Sequence, residues 1–368
     1  MRVAIIHYWL VGMRGGEKVL EEIASLYPDA AIYTHVADPS RLSPALAARD
    51  IRQTFISRMP FARRAYKAYL GFMPRALEAI DLSGYDLILS SESGPAKGVI
   101  APPNARHLCY CHTPMRYIWD QFADYARDLN PVARTYFCQV AHRVRVWDAA
   151  SAQRVDRYLA NSAFIAARVR RSYGRRADVL HPPVDLDRFL PGQAGDGYLF
   201  VSELTGYKRA DLVVEAFRGL DRRLTVVGDG PQFDALRKSA PPNVTMKGRL
   251  GDEALAAEYA RARALIFPAE EDFGLTPVEA MASGRPVLAL GRGGALETVR
   301  DGETGLFFVD QSAASIREAI ARFESDEARF DPRAIRAHAE TFSKASFRAR
   351  FRAAVDDLMA APPQEAWR

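Results

Sequence analysis

The 368-residue chain is predicted to be an α/β protein with two open parallel sheets. Its length is about twice that of a usual single domain, which favours two domains. Short apolar runs alternate with helical patterns along the whole chain, as expected for parallel strands joined by crossover helices. Nearly every unusual cluster of glycine or polar residues directly follows a strand candidate. These clusters predict a ligand crevice at the carboxyl ends of the strands.

The strand candidates are apolar runs of four to six residues. In the first half of the chain they lie at 2–7, 85–90, 106–111 and 157–160, the last leading into Asn161-Ser162 as a helix N-cap. In the second half they lie at 198–202, 224–227, 244–247, 264–267 and 286–290. Residues 182–197 are rich in proline and are the predicted linker, between an N-terminal domain at 1–181 and a C-terminal domain at 198–342.

The composition excludes several classes of protein. Apolar residues make up 48% and charged residues 26% of the chain, so it is neither globally disordered nor collagen-like. The three cysteines, Cys109, Cys111 and Cys138, cannot form a disulfide framework, and their odd number favours a reducing compartment, so we expect a cytoplasmic protein. No stretch of about 18 apolar residues is present, so we expect no membrane-spanning helix.

The charge is unevenly distributed. Residues 1–180 carry 25 Lys/Arg and 16 Asp/Glu, whereas residues 181–368 carry 25 and 29. Within 52–77 there are six basic residues and no acidic one, interleaved with aromatic residues. This pattern suits an anionic membrane surface, but a solvated helix whose aromatics pack on their own domain would give it too. Nucleic acid is disfavoured because no reader motif accompanies the charge. The membrane candidates are Arg58, Arg63, Arg64 and Lys67.

The stretch 267–284 carries the most chemical information. Its strand ends near Phe267, and Thr276-Pro277-Val278-Glu279 predicts a helix start, with Thr276 as N-cap and Glu279 at the third helical position. Free N–H groups around Gly274 would then attract an anion such as phosphate. Glu279 is explained either by this capping box or by ligand binding. Glu271 has no comparable structural explanation.

Glu271 and Glu279, separated by seven residues, resemble the signature of family four of the glycosyltransferases. Those are retaining enzymes with the GT-B fold, in which two Rossmann-like domains have parallel sheets facing across a cleft. The matching motifs are Gly15-Gly16-Glu17, Tyr207-Lys208-Arg209-Ala210-Asp211-Leu212, Val226-Val227-Gly228-Asp229-Gly230-Pro231 and Asp301-Gly302-Glu303-Thr304-Gly305-Leu306. Residues 109–120 are similar to a segment of bacterial mannosyltransferases that build O-antigen and exopolysaccharide repeat units on a polyprenyl carrier.

The resemblance implies roles for individual residues. Glu271 would bind hydroxyls of the donor sugar, and His112 would lie over that sugar near the reacting carbon. Lys208 would contact the diphosphate, and Glu279 the ribose hydroxyls. The other residues implied in donor binding are Gly15, Gly16, Arg209, Gly230, Arg249, Phe273, Gly274 and Leu275. No metal or cofactor is expected, because the family is usually metal-independent and Cys109, Cys111 and His112 alternate along a strand without a fourth ligand.

One motif departs from the family pattern. Relatives often carry a second phosphate-binding arginine in a Gly-Arg-Leu run, where this chain has Ser202-Glu203-Leu204. A carboxylate facing a diphosphate would be repelled. We expect Glu203 to point away and Arg209 or Arg292 to supply the missing charge, with Arg209 preferred because it directly follows Lys208.

The resemblance implies a function. The expected reaction is transfer of mannose from GDP-mannose, with retention, to a polyprenyl-diphosphate-linked oligosaccharide at the inner face of the cytoplasmic membrane. The alternatives are a glucosyl- or N-acetylglucosaminyltransferase using a UDP-sugar, and a non-catalytic sugar-nucleotide-binding protein. The resemblance also implies that a final helix, at about 343–360, crosses back to the N-terminal domain.

Overall fold

The computed structural model describes residues 1–127 and 129–361, which divide into two compact units. The first unit contains Met1–Pro183 together with the C-terminal helix from Phe347 onward, and the second contains Val184–Ser346. Each unit has one parallel sheet with helical crossovers, which confirms the predicted α/β class. Most of the predicted linker packs into the second unit, because Val184, Leu186 and Phe189 belong to its hydrophobic core.

The sheet of the first unit has seven parallel strands in the order β3-β2-β1-β4-β5-β6-β7. The strand bounds are β1 Val3–His7, β2 Ala31–Thr34, β3 Ile51–Gln53, β4 Leu87–Glu92, β5 Arg106–Cys111, β6 Arg157–Ala160 and β7 Asp178–Val179. The sequence prediction identified β1, β4, β5 and β6. It missed β2, which is short, and the outer strands β3 and β7, which have three and two residues.

Seven α-helices of the first unit precede the linker. Their bounds are α1 Gly15–Leu26, α2 Pro44–Ala47, α3 Ala62–Ala65, α4 Met73–Glu78, α5 Phe122–Arg127, α6 Pro131–Ser151 and α7 Ala163–Tyr173. Helix α7 begins where the sequence predicts it, because the Ser162 hydroxyl accepts a hydrogen bond from the Ile165 N–H at 3.1 Å. Between α3 and α4, residues Tyr66–Phe72 form a 3-10 helix.

The second unit has a sheet of six parallel strands in the order β10-β9-β8-β11-β12-β13. The strands are β8 Tyr198–Val201, β9 Leu224–Val227, β10 Val244–Met246, β11 Leu265–Phe267, β12 Val287–Leu290 and β13 Gly305–Phe308. The helices are α8 Ala210–Ala216, α9 Phe233–Ser239, α10 Asp252–Arg261, α11 Leu275–Ala282, α12 Ala295–Thr298, α13 Ala313–Ser325 and α14 Pro332–Ala339. Five strands agree with the prediction, and the edge strand β13 was missed.

The last helix, α15 (Lys344–Ala360), contributes to the core of the first unit. Its buried side chains include Phe347, Phe351 and Leu358, which lie in the same hydrophobic cluster as Ile5 and Leu20. The Arg157 guanidinium also donates to the Ala354 carbonyl at 3.0 Å. The helix therefore covers one face of the first sheet.

Both sheets reverse their strand order at one place, between β1 and β4 in the first unit and between β8 and β11 in the second. In open parallel sheets, ligands bind outside the carboxyl ends of the strands at such a reversal. The loops after β1, β8 and β11, together with the helices that follow β1 and β11, carry nine of the twelve predicted catalytic and donor-binding residues. Across the described parts of the chain, no helix has both the length and the apolar character required to cross a bilayer.

Candidate functional site

An ion pair joins the loops after β8 and β11, where the strand order of the second sheet reverses. Lys208 ends the 3-10 turn after β8, Glu271 lies in the loop after β11, and the Lys208 Nζ contacts Glu271 Oε1. Their side chains are 14% and 21% exposed, so both groups remain reachable. Burial lowers the pKa of Lys208, but Glu271 and Tyr207 outweigh that effect and hold it above its usual value. The sequence therefore brings a cation and a carboxylate to the point where the fold favours a ligand.

Helix α11 begins two residues earlier than the sequence predicts. Gly274 is its N-cap and has a φ of +85°, and Leu275 is the first helical residue. The capping-box interpretation of Glu279 is therefore wrong, because this residue lies beyond the third helical position. Its Oε2 instead accepts a hydrogen bond from the buried Tyr259 hydroxyl at 2.8 Å. Burial, reinforced by Glu279, raises the pKa of Tyr259 well above its usual value, so the phenol remains a donor.

A glycine-rich loop after β12 supports the Glu271 segment. The Gly294 N–H donates to the Glu271 carbonyl at 2.8 Å. A Cβ at Gly294 would lie 2.3 Å from the Phe273 Cα, and one at Gly293 would lie 2.5 Å from the Glu271 carbonyl oxygen. Only glycine allows the two backbones to approach so closely. The Phe273 ring is itself buried, so the ligand contact predicted for this residue would have to come from its backbone.

A second backbone contact forms between the loops after β8 and β9. The Leu204 N–H donates to the Asp229 carbonyl at 2.9 Å, and a Cβ at Gly230 would lie 2.8 Å from the Leu204 carbonyl oxygen. Gly230 therefore allows the loops after β8 and β9 to pack closely at the carboxyl edge of the second sheet. Arg249 lies in the loop after β10 and is exposed.

The two cations expected to replace the missing arginine differ in their surroundings. The Arg209 guanidinium donates to both carboxylate oxygens of Asp211, at 3.1 and 3.0 Å, and to Gln311 at 3.2 Å. Its charge is thus compensated locally, which weakens the expectation that it replaces the missing phosphate-binding arginine. Arg292 is exposed, and no side-chain bond joins it to another residue within 1–127 or 129–361. Glu203 is also exposed.

In the first unit, His112 ends a chain of hydrogen-bonding groups that spans three strands. Its Nε2 lies 2.9 Å from Ser91 Oγ, which lies 3.1 Å from the His7 Nδ1. The His7 Nε2 in turn lies 4.0 Å from a carboxylate oxygen of Glu17 in α1. Burial, with a contribution from His7, lowers the pKa of His112 to about 3, so its imidazole is neutral near pH 7. Sequence reasoning assigned no role to Ser91, His7 or Glu17.

Gly15 and Gly16 are the first two residues of helix α1. A Cβ at Gly16 would lie 2.3 Å from the Tyr8 hydroxyl oxygen and 3.7 Å from the His112 Nε2. The glycine therefore leaves room for Tyr8 beside His112. This packing is an additional reason for glycine here, besides the approach of a diphosphate that the resemblance implies.

A buried ionic cluster lies directly behind His112. Lys97 Nζ donates to Glu92 Oε1 at 2.8 Å and contacts Asp148 Oδ1, and all three side chains are at most 1% exposed. The Trp119 indole N–H donates to the second Asp148 oxygen at 2.8 Å. The Glu92 carbonyl accepts the His112 N–H at 2.8 Å, which ties the cluster to the histidine backbone. Glu92 and Lys97 are five residues apart, but Asp148 lies 51 residues after Lys97, so no spacing signal reveals the whole cluster.

In the basic segment 52–77, some of the aromatic side chains pack on their own unit, and the membrane contact stays a prediction. Tyr66 and Tyr69 pack against a small core of the first unit, whereas Phe61 is 82% exposed. Phe61 also has a φ of +53°, which is rare for a bulky residue. The four membrane candidates are exposed and form no ion pair with any residue in the described ranges: Arg58, Arg63, Arg64 and Lys67.

Cys109 and Cys111 are buried in the core of the first unit, where burial raises the pKa of both thiols. A search of residues 1–127 and 129–361 finds no group of three His, Cys, Asp or Glu side chains that could hold a metal ion.

Solved structures with the same fold include the Anabaena protein HepE in complex with UDP-glucose and sucrose-phosphate synthase from Thermosynechococcus elongatus. HepE is 17% identical with a TM-score of 0.70, and the match covers 97% of this chain and 100% of that one. The synthase is 19% identical with a TM-score of 0.70, and the match covers 98% and 100%.

Among curated proteins, this chain is similar to a GDP-mannose-dependent alpha-(1-6)-phosphatidylinositol monomannoside mannosyltransferase of Mycobacterium tuberculosis. The two are 31% identical over 201 residues, which is 46% of this chain and 52% of that protein. It is also 32% identical to a D-inositol 3-phosphate glycosyltransferase of Streptomyces scabiei, over 51% of this chain and 50% of that protein. The chain thus spans about half the length of the curated relatives it matches.

Two family models match successive parts of the chain. Residues 13–188 match the model described as Glycosyltransferase Family 4. Residues 195–341 match the model described as Glycosyl transferases group 1. The first match falls in the first unit and the second in the second unit, apart from a few residues at the junction. With a family 4 domain followed by a group 1 domain, the chain belongs to the glycosyltransferases.

Proposed function

We propose that this protein is a retaining glycosyltransferase that moves a sugar from a nucleotide diphosphate to a lipid-linked acceptor. One observation carries the proposal: Lys208 and Glu271 meet at the strand-order reversal of the second sheet, beside the start of helix α11. The ammonium group suits a diphosphate, and the carboxylate suits sugar hydroxyls. The N-terminus of α11 adds backbone N–H groups that favour an anion.

The proposed donor is GDP-mannose. It is supported by the segment 109–120 and by the GDP-mannose-dependent relative from Mycobacterium tuberculosis. The proposed donor contacts are Glu271 and Lys208 as described, Glu279 at the ribose, and the backbone at Phe273 to Leu275. The proposed set is completed by Gly230, Arg209 and Arg249 from loops of the second unit, and by Gly15 and Gly16 at the start of α1 in the first unit.

The proposed chemistry is a displacement on one face of the sugar. The acceptor oxygen forms a bond to the anomeric carbon while the bond to the diphosphate breaks. The leaving diphosphate keeps the electron pair and takes up the acceptor proton. Lys208 and the N-terminus of α11 stabilise the charge that grows on the diphosphate. His112 is neutral, so it acts by positioning and hydrogen bonding and not as a cation.

The proposed acceptor is a polyprenyl-diphosphate-linked oligosaccharide, reached at the inner face of the cytoplasmic membrane. The basic segment supports surface binding, because it carries the exposed Phe61 ring and four exposed cations that form no ion pair with the described residues. Apolar tips flanked by cations bind anionic bilayers by combining burial with surface attraction.

A thermal-shift screen with GDP, UDP, ADP and their sugar conjugates tests the donor. A ligand at about 100 times its Kd adds roughly 2.7 kcal/mol of stability. We expect GDP-mannose to stabilise the wild type and the Lys238→Ala control, in which an exposed lysine of the same unit is removed, but not Lys208→Ala. Stabilisation by UDP-glucose but not by GDP-mannose would overturn the proposed donor and indicate an enzyme that uses a UDP-sugar.

A transfer assay separates catalysis from binding. Incubation with GDP-mannose and a lipid-linked diphosphate acceptor should give an α-linked product, whose anomeric configuration is read by NMR. Donor binding with neither transfer nor slow donor hydrolysis would identify a sugar-nucleotide-binding protein instead. If Lys208→Ala bound the donor as tightly as wild type, the donor site would not lie at the second sheet.

A further inference from the structure

The first unit contains an apolar cavity of about 530 Å³. It lies between the segment after β1, the 3-10 helix Tyr66–Phe72 and helices α5 and α6. Its lining includes Trp9, Phe137 and Val140, and Lys67 is its one charged residue among those described. A volume in this range is typical of a ligand pocket.

One charged group in this apolar lining is available to a ligand. Lys67 is exposed and has no carboxylate within ion-pair distance among the described residues. An ammonium at the rim of an apolar cavity suits an anionic oxygen on an otherwise apolar molecule.

One lining residue, Trp9, packs near the edge of the sheet that carries His112. Trp9 packs on Tyr8, with ring centroids 4.8 Å apart, and on Tyr66, also at 4.8 Å. Tyr8 in turn fills the space that the missing Cβ of Gly16 leaves beside His112. A molecule whose chain occupied the cavity would therefore have its head close to the proposed reacting edge.

We propose that this cavity holds the first isoprenoid units of the acceptor's carrier lipid, with Lys67 contacting its phosphate oxygens. The proposal rests on the proposed function for the choice of an isoprenoid carrier. A flat membrane surface would need exposed cations and apolar tips, but not an apolar cavity of this volume.

Equilibrium binding of farnesyl diphosphate, without any sugar nucleotide, tests the proposal. Ala133 lines the cavity on α6, whereas its neighbour Val132 is 82% exposed and is not part of the lining. We expect Ala133→Trp to fill the cavity and weaken binding at least tenfold, and Val132→Trp to leave it within twofold of wild type. Equal effects of the two variants would overturn the proposal.

Chain length in the wild type gives a second test that does not depend on a variant folding. Farnesyl diphosphate should bind at least tenfold more tightly than isopentenyl diphosphate, and Lys67→Ala should reduce that affinity more than Arg75→Ala, which removes an exposed cation of α4 outside the lining. Equal binding of the two diphosphates would overturn the cavity assignment. Equally tight binding of dodecyl phosphate would overturn the isoprenoid assignment in favour of a general lipid phosphate.

The results distinguish a failure of the cavity assignment from a failure of the proposed enzymatic function. If farnesyl diphosphate binds as expected but no sugar is transferred, the cavity assignment stands and the enzyme assignment fails. If sugar reaches a short-chain acceptor as fast as a long-chain one while farnesyl diphosphate does not bind, the enzyme assignment stands and the cavity assignment fails.

Discussion

Replacing Lys97 with methionine should destabilise the first unit by about 3–5 kcal/mol at pH 8, the cost of removing one partner from a buried ion pair. Its ammonium contacts Glu92 and Asp148, and neither carboxylate is exposed. After the change, Glu92 still accepts the residue 97 backbone N–H, at 2.9 Å in the wild type, and Asp148 keeps the Trp119 N–H. Those two bonds do not replace the lost positive charge.

The loss of stability in Lys97→Met should depend on pH. Burial, with a contribution from Asp148, outweighs Lys97 and raises the pKa of Glu92 to about 7 in the folded wild type. A carboxyl with a raised folded-state pKa contributes stability that is complete below its unfolded pKa, near 4.5, and is lost as the pH rises through about 7. Without the positive charge of Lys97, the Glu92 carboxyl holds its proton more tightly. The destabilisation should therefore be smaller at pH 5.5 than at pH 8.

Urea unfolding followed by tryptophan fluorescence measures this change, because every tryptophan in the described ranges lies in the first unit. Lys18→Met, which removes an exposed lysine of α1, should stay within about 0.5 kcal/mol of wild type. Adding Glu92→Gln to Lys97→Met should recover part of the loss. A loss below about 1 kcal/mol at pH 8, or no recovery in the double variant, would refute the electrostatic reasoning.

Three further predictions concern the candidate site and the surface. Gly294→Ala should displace the loop that carries Glu271, the proposed sugar-binding carboxylate, and abolish donor-induced thermal stabilisation, while Gly251→Ala, where a Cβ meets nothing within 4 Å, should preserve it. Because the pKa of His112 is lowered to about 3, the kcat profile between pH 5 and 8 should show no titration from it; a step removed by His112→Gln would contradict this. Phe61→Ser should weaken cosedimentation with anionic vesicles at low salt, and Val309→Ser, at a position 75% exposed on the second unit, should not.

The sequence predicted the parallel architecture because buried parallel strands are continuous apolar runs followed by loop signals. Strands such as β7, with two residues, carry too little pattern to be recognised. The meeting of Lys208 with Glu271 could be expected from motif resemblance and from the positions of their loops after strands.

Other features depend on three-dimensional neighbours that no spacing encodes. The start of α11 was misplaced because Thr-Pro-Val-Glu is a good capping sequence, yet Gly274 can adopt a positive φ and begins the helix earlier. The Lys97 cluster joins residues from β4, the segment after it and α6, so its charges are recognisable as a group only after the chain has folded. The same holds for the hydrogen bond between Ser91 and His112.

The contribution of α15 to the first hydrophobic core has a consequence for biosynthesis. A ribosome releases Val184–Ser346 as one uninterrupted stretch, so that unit can complete its folding as soon as it emerges. The unit made earlier must wait, because Phe347, Phe351 and Leu358 have not yet been translated. Until then its nascent polypeptide exposes an uncovered apolar sheet face, a kind of surface that makes folding intermediates prone to aggregation. The amino-terminal half is therefore synthesised first and matures last.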